Sequence, residues 1–239
     1  MTTLHVIRHG KAMAGSEQYD KLHALGETQA RLLGQHLRQE GLHFDAIYCG
    51  PLTRQLDTLA HMRSGAGELG AVWPQAVILA ELAEAPIEAL ARHCMTERLA
   101  SDPKLAALVS ELFSGKRSAG DTAFFESLLT HVVAIWLSGE VTLPGVETAP
   151  EFGRRVRAGL ETILQSGAEG RQIAVVTSNG VIGWMAGYAE SEPEPERECL
   201  FRRLFNASVS RFHAVGDGFH LAAWNVIDHI VDSELRTVL

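Results

Sequence analysis

The 239-residue chain carries 46% hydrophobic and 21% charged residues, enough for a sizeable core in one large domain, or one domain with an insertion, and too apolar for global disorder. Its net charge of −8 argues against a general binder of nucleic acid or anionic membrane, so an anionic ligand would need a local cationic pocket. No apolar run approaches the roughly 20 residues of a membrane span, no signal-peptide pattern opens the chain, and Cys49, Cys94 and Cys199 have no metal or redox spacing, so a cytoplasmic protein with reduced thiols is expected.

Residues 4–7 read as a short buried β-strand running into Arg8-His9-Gly10. In an open α/β sheet, ligands bind beyond the carboxyl ends of the strands. Arginine offers planar, permanently charged donors to phosphate, histidine can act as a nucleophile near neutral pH, and Gly10 permits close backbone approach to a ligand. After a polar loop to about residue 20, Leu22, Leu25, Ala30, Leu32, Leu33 and Leu37 mark an amphipathic helix that ends before Gly41. Residues 44–49 form a second strand, broken by Gly50-Pro51, and a helix over 52–63 follows. Arg54 lies in its first turn, where helix amides and dipole favour an anion.

Residues 65–70 match a glycine-rich dinucleotide fingerprint in form, but they follow a helix and precede Pro74, so they are assigned to a surface loop. A third strand spans 76–79, with Glu84 just past its end. From 86 to about 144 the pattern is helical, in segments near 87–99, 103–113 and 122–137, and predicts an insertion lying over the sheet. Phe124, Phe125 and Trp136 are assigned to its core. A helix over 148–165 and a strand over 173–177 follow, with Ser178-Asn179 at that strand's carboxyl end, before an apolar helix. Residues 191–198 are expected to form a solvated loop, and strands 208–215 and 219–226 a hairpin about Gly216-Asp217-Gly218. The alternation predicts an α/β three-layer sandwich, a mostly parallel central sheet with helices on both faces.

Four strand ends thus carry Arg8-His9, Arg54, Glu84 and Ser178-Asn179. Such a set suits phosphoryl transfer: arginines neutralise the phosphoryl oxygens, His9 attacks phosphorus, and Glu84 gives a proton to the leaving oxygen.

The order of motifs resembles the histidine phosphatase superfamily, also called the phosphoglycerate mutase-like family. The matching stretches are Ile7-Arg8-His9-Gly10, Tyr19-Asp20-Lys21-Leu22 with the helix entry after it, Tyr48-Cys49-Gly50-Pro51-Leu52-Thr53-Arg54 with Thr58, Leu82-Ala83-Glu84, Gly145-Val146-Glu147 with Phe152 and Arg155, and Phe205-Asn206-Ala207-Ser208-Val209. The resemblance spans nearly the whole chain and implies one domain over 1–239 with a helical cap at about 86–144. It also implies a phosphomonoester hydrolase passing through phospho-His9, with Glu84 as proton donor and Arg8 and Arg54 on the phosphate. No metal or cofactor is expected, and the partner is a small phosphorylated substrate.

One departure stands out. Where the family places a second catalytic histidine and a following arginine, this chain has Ser178 and Gly183, and Ser178 cannot carry charge. Ser178 and Asn179 are expected to contribute hydrogen bonds to phosphate in its place, with the start of the next helix. Two other readings stay open. A mutase is disfavoured by Lys11-Ala12-Met13-Ala14 after Gly10 and Ala85-Pro86-Ile87 after Glu84; a phospho-ligand-binding protein of weak catalysis is suggested by Ser178. His5 and Glu147 are assigned structural roles, while Lys11, Thr53 and Asn206 are candidates for the site's lining.

Overall fold

The computed structural model describes residues 1–13, 20–114, 122–165, 170–190 and 203–238. The side chain of Phe125, the expected loop at 191–198 and Cys199 lie outside the described residues. The chain divides into two compact units, one of residues 1–84 with 154–239 and one of residues 85–153.

The larger unit holds a six-stranded sheet in the order β3-β2-β4-β1-β5-β6. Its strands are β1 (Thr2–Arg8), β2 (Ala46–Cys49), β3 (Ala76–Ile78), β4 (Gln172–Thr177), β5 (Val209–Val215) and β6 (Gly218–Val226). The first four run parallel and the last two form an antiparallel hairpin against β1. The expected α/β fold is therefore present, with an antiparallel edge on the mostly parallel sheet. β1 and β4 are buried along almost their whole length, and β4 accordingly reads as a continuous apolar run from Ile173 to Val176, while His5 interrupts the apolar residues of β1. Parallel register brings Arg8 opposite Thr177, so the carboxyl ends of β1 and β4 finish side by side.

Helices α1 (Ala24–Gln39) and α2 (Thr53–Gly67) pack against this sheet through Leu33, Leu37, Leu59 and Met62, which meet Ile7, Ile47 and Val176 in one buried cluster. A Cβ on Gly34 would lie 1.9 Å from the Met62 carbonyl oxygen, and one on Gly65 would lie 2.1 Å from that of Arg31. The stretch assigned to a surface loop at 65–70 is thus partly wrong. α2 continues through Gly67, because Gly65 supplies the close approach of the two helices rather than a turn. Leu22 precedes α1 and pairs its backbone with Ala12 instead. The remaining elements of this unit are two 3₁₀ turns (Ala80–Leu82 and Ser233–Leu235) and α7 (Asn179–Ala189), with the greater part of α6 (Ala149–Gln165).

The smaller unit is helical: α3 (Ile87–His93), a π-type turn (Cys94–Arg98), α4 (Pro103–Phe113), α5 (Thr122–Leu137) and the start of α6. Asp102 caps α4, accepting the Lys104 and Leu105 amides at 3.1 and 2.9 Å, with Pro103 in the first helical position. Phe124 and Trp136 are buried as expected, and Trp136 packs edge-on against Phe152 at 5.7 Å. The Trp136 indole donates to the Glu147 carbonyl at 3.0 Å. No helix among the described residues is long and apolar enough to cross a membrane.

Candidate active site

β1 delivers Arg8 and then His9 to the carboxyl edge of the sheet. His9 is buried; its amide donates to the Thr177 carbonyl at 2.9 Å, and its own carbonyl accepts from the Ala207 amide at 3.2 Å and Asn206 Nδ2 at 3.4 Å. Ala207 holds a φ of 56° to make this contact, a left-handed conformation costing about 1 kcal/mol or more for a residue other than glycine. The backbone under the imidazole is thus tied on both sides.

The imidazole's own bonds assign its tautomer. Nδ1 lies 2.8 Å from the Gly10 carbonyl oxygen, which can only accept, so Nδ1 carries the proton. Arg54 Nε, which can only donate, lies 3.3 Å from His9 Nε2, so Nε2 presents its lone pair. Burial above all, then the charges of Arg54 and Arg8, holds the His9 pKa well below the ordinary histidine value, against the raising effect of the Gly10 carbonyl. The result is a neutral histidine with an unprotonated nitrogen facing a guanidinium.

Arg54 is buried in the first turn of α2, and Asp20 holds its other end. One Asp20 carboxylate oxygen lies 2.6 Å from Arg54 Nη1 and the other accepts the Thr53 amide at 2.7 Å. α2 has no side-chain cap from its own Leu52, and Asp20 fills that role from a distant loop. Arg8 donates to the Leu204 carbonyl. Gly10 is required for a different reason than the expected approach of a ligand: a Cβ there would lie 2.5 Å from the Gly26 carbonyl oxygen, where the start of α1 passes. The Gly10 amide donates to Thr58 Oγ1 at 3.0 Å.

Glu84 reaches the start of α7, where a carboxyl oxygen accepts the Gly180 amide at 3.1 Å, a bond open to the protonated and the ionised form alike. Its segment is pinned from behind by Arg155, whose Nη1 donates to the Glu81 and Ala83 carbonyls at 2.8 and 3.0 Å. Ser178 is fully buried and precedes α7, yet its side chain caps none of the helix amides; instead it accepts from Gln55 Nε2 at 2.8 Å. Asn179, partly buried, has an Oδ1 atom without a hydrogen-bond partner. A half-turn of the amide would put its NH₂ there, the polarity an anion needs.

A model of the histidine phosphatase superfamily (branch 1) matches residues 4–107 and 124–227. The chain belongs to the histidine phosphatase superfamily. Solved structures of the same fold include YhfR of Bacillus stearothermophilus, at 18% identity and a TM-score of 0.64, covering 96% of this chain and 100% of that one. A mutant phosphoserine phosphatase from Entamoeba histolytica in complex with phosphoserine matches at 20% identity and a TM-score of 0.59, covering 97% and 100%. A mycobacterial glucosyl-3-phosphoglycerate phosphatase matches at 18% identity and a TM-score of 0.60, covering 94% and 98%. At these identities the likeness is one of fold. A search of curated proteins found no match to the sequence.

Within this superfamily member, His9 and Arg54 meet directly, Arg8 acts on His9 by charge, and Ser178 follows the β4 residue that pairs with Arg8. Glu84 joins the group through the first turn of α7. Asn206 contacts the His9 carbonyl rather than an open site, Thr53 contributes its amide to Asp20, and the Lys11 amide is taken by Gln29 Oε1 at 2.9 Å. His5 is interior, bonded to Gln172 at 2.8 Å. Two members of the cluster went unassigned in the sequence, Asp20 and Gln55. Asp20 had a signal, its place in the motif before α1; Gln55 had none.

Proposed function

We propose that this protein is a phosphomonoester hydrolase that passes its phosphoryl group through His9. The observation that carries this reading is the His9 tautomer: Nδ1 donates to Gly10, leaving Nε2 unprotonated beside the Arg54 guanidinium. His9 Nε2 attacks phosphorus as the ester P–O bond breaks, and Glu84 gives its proton to the leaving oxygen. The N-phosphorylated ring is cationic, and the Gly10 carbonyl, already accepting from Nδ1–H, stabilises that charge. Water then attacks phosphorus, Glu84 takes its proton, and the P–N bond breaks to release phosphate and neutral His9. Arg8 and Arg54 balance charge on the equatorial oxygens, with Ser178 and Asn179 beside them.

The substrate is a small phosphorylated compound. The test is turnover of an aryl phosphate together with trapping of acid-labile phosphate on the protein. Substituting His9→Ala should remove the trapped phosphate and lower kcat at least about 1,000-fold; undiminished turnover by that variant would overturn the proposal.

A further inference from the structure

Gln55 follows Arg54 in α2 and is fully buried. Its Oε1 accepts the Leu52 amide at 3.0 Å, and its Nε2 donates to the Leu82 carbonyl at 3.0 Å and to Ser178 Oγ at 2.8 Å. These partners leave the carboxamide one orientation. Turned over, it would set oxygen against the Leu82 carbonyl and nitrogen against the Leu52 amide. The space for it exists because residue 50 is glycine: a Cβ there would lie 2.1 Å from Gln55 Oε1.

The consequence falls on Ser178. A hydroxyl has one proton to give, and Gln55 already donates to its oxygen. The Ser178 side chain makes no cap bond to α7, and its hydroxyl donates no hydrogen bond among the described residues. Its neighbour across the ladder is the nucleophile's strand: Thr177 pairs with Arg8, and the Thr177 carbonyl accepts the His9 amide at 2.9 Å. The Leu82 carbonyl that anchors Gln55 also accepts from Thr177 Oγ1 at 2.7 Å, so the pair is braced from two elements.

Building on the hydrolase reading, we infer that Ser178 Oγ–H donates to a phosphoryl oxygen of the ligand at His9, and that Gln55 is the positioning residue that forces this polarity on the hydroxyl. The two act as one neutral donor unit. No proton is transferred; the hydrogen bond is made to the ligand and strengthens as charge builds on the phosphoryl oxygens.

The experiment is a double-mutant cycle of Ser178→Ala and Gln55→Met, read as kcat/KM for an aryl phosphate and as inhibition by inorganic phosphate, with melting curves to verify folding. Each single change should lower kcat/KM about 10- to 150-fold, the worth of one hydrogen bond to a charged group, and weaken phosphate inhibition. The double variant should be no worse than the more affected single one, because both remove the same donor. Ser178→Thr, which keeps the hydroxyl, should rescue activity when Gln55 is present and fail to do so in the Gln55→Met background. Losses that multiply, or either single variant at full activity with unchanged phosphate inhibition, would overturn the inference. Should Gln55→Met fail to fold, Gln55→Glu replaces it, placing an acceptor where the donor stood; its deficit should be larger at pH 8 than at pH 5.5, and a deficit independent of pH would count against the inference. Trapping keeps the two readings apart. Phosphate trapped on His9 with an indifferent Ser178→Ala sinks only the donor pair, whereas absence of both trapped phosphate and turnover in the unaltered protein sinks the hydrolase reading and this one with it.

Discussion

Between two guanidinium groups and out of water, an imidazolium at position 9 would be repelled and desolvated, whereas a neutral imidazole meets neither penalty. Titration of His9 followed by histidine-selective NMR should therefore show the neutral Nδ1–H form persisting below pH 6, and Arg54→Ala should raise its pKa by removing one of the charges that depress it. A His9 that titrates at the ordinary value in both proteins would contradict this. Asp20 is the complementary case, a carboxylate that fixes Arg54 and caps α2 at once. Asp20→Ala is expected to lower kcat/KM about tenfold or more and to reduce stability by about 1 kcal/mol, measured by kinetics and by urea unfolding. At position 178 an imidazole would have to displace Gln55, whose Nε2 is 2.8 Å from the serine oxygen. Ser178→His alone should destabilise the fold by about 1–3 kcal/mol rather than simply install a second histidine, and a variant as stable as the parent would refute that.

Among the elements, α1 and α2 depend on missing side chains as well as on apolar ones. The Gly34 position faces the Met62 backbone, which cannot rotate away as a side chain could, so Gly34→Ala must push the helices apart. The expected cost is about 1–3 kcal/mol, a fall in Tm of roughly 2–12 °C for a chain of this size. Gly41 offers the contrast: its φ is +72° and nothing lies within 4 Å of where a Cβ would stand, so Gly41→Ala meets only conformational strain of about 1 kcal/mol. Comparing the two melting temperatures separates steric from conformational cost. The same close packing accounts for the extension of α2 into the stretch expected to be a loop. Glycines at 65 and 67 read as a turn in one dimension, while in three the first of them is an interhelical contact.

At the scale of the molecule, stability is tied to several histidines kept neutral by burial. The His229 pKa is pushed down to about 4, by burial first and by His36 second, against the Ala207 carbonyl, and its ring lies 5.9 Å from that of His36. His5 and His9 are also shifted downward, each by burial in the first place. Between roughly pH 6.5 and 4 the unfolded chain therefore binds protons that the folded chain refuses, so stability falls as pH drops through that window and is fully present above it. His229 alone contributes on the order of 3 kcal/mol to this fall. Urea unfolding at pH 5 and pH 7 should reveal it, and His229→Gln should flatten the dependence; an unchanged slope in that variant would reject the assignment.

Hydrophobic period and turn chemistry are local, so the order of strands and helices, the mostly parallel sheet and the edge at which Arg8, His9, Arg54, Glu84 and Ser178 collect were all readable along the chain. Contacts between residues far apart were not. The proton's place on His9 depends on Arg54, 45 positions away; the polarity of Ser178 depends on Gln55, 123 positions away. Asp20 became part of the cluster only when the fold carried it to Arg54. Residue spacing announces which groups reach the sheet edge, but which atom donates and which accepts is settled by partners that packing alone brings within 3 Å or so of one another.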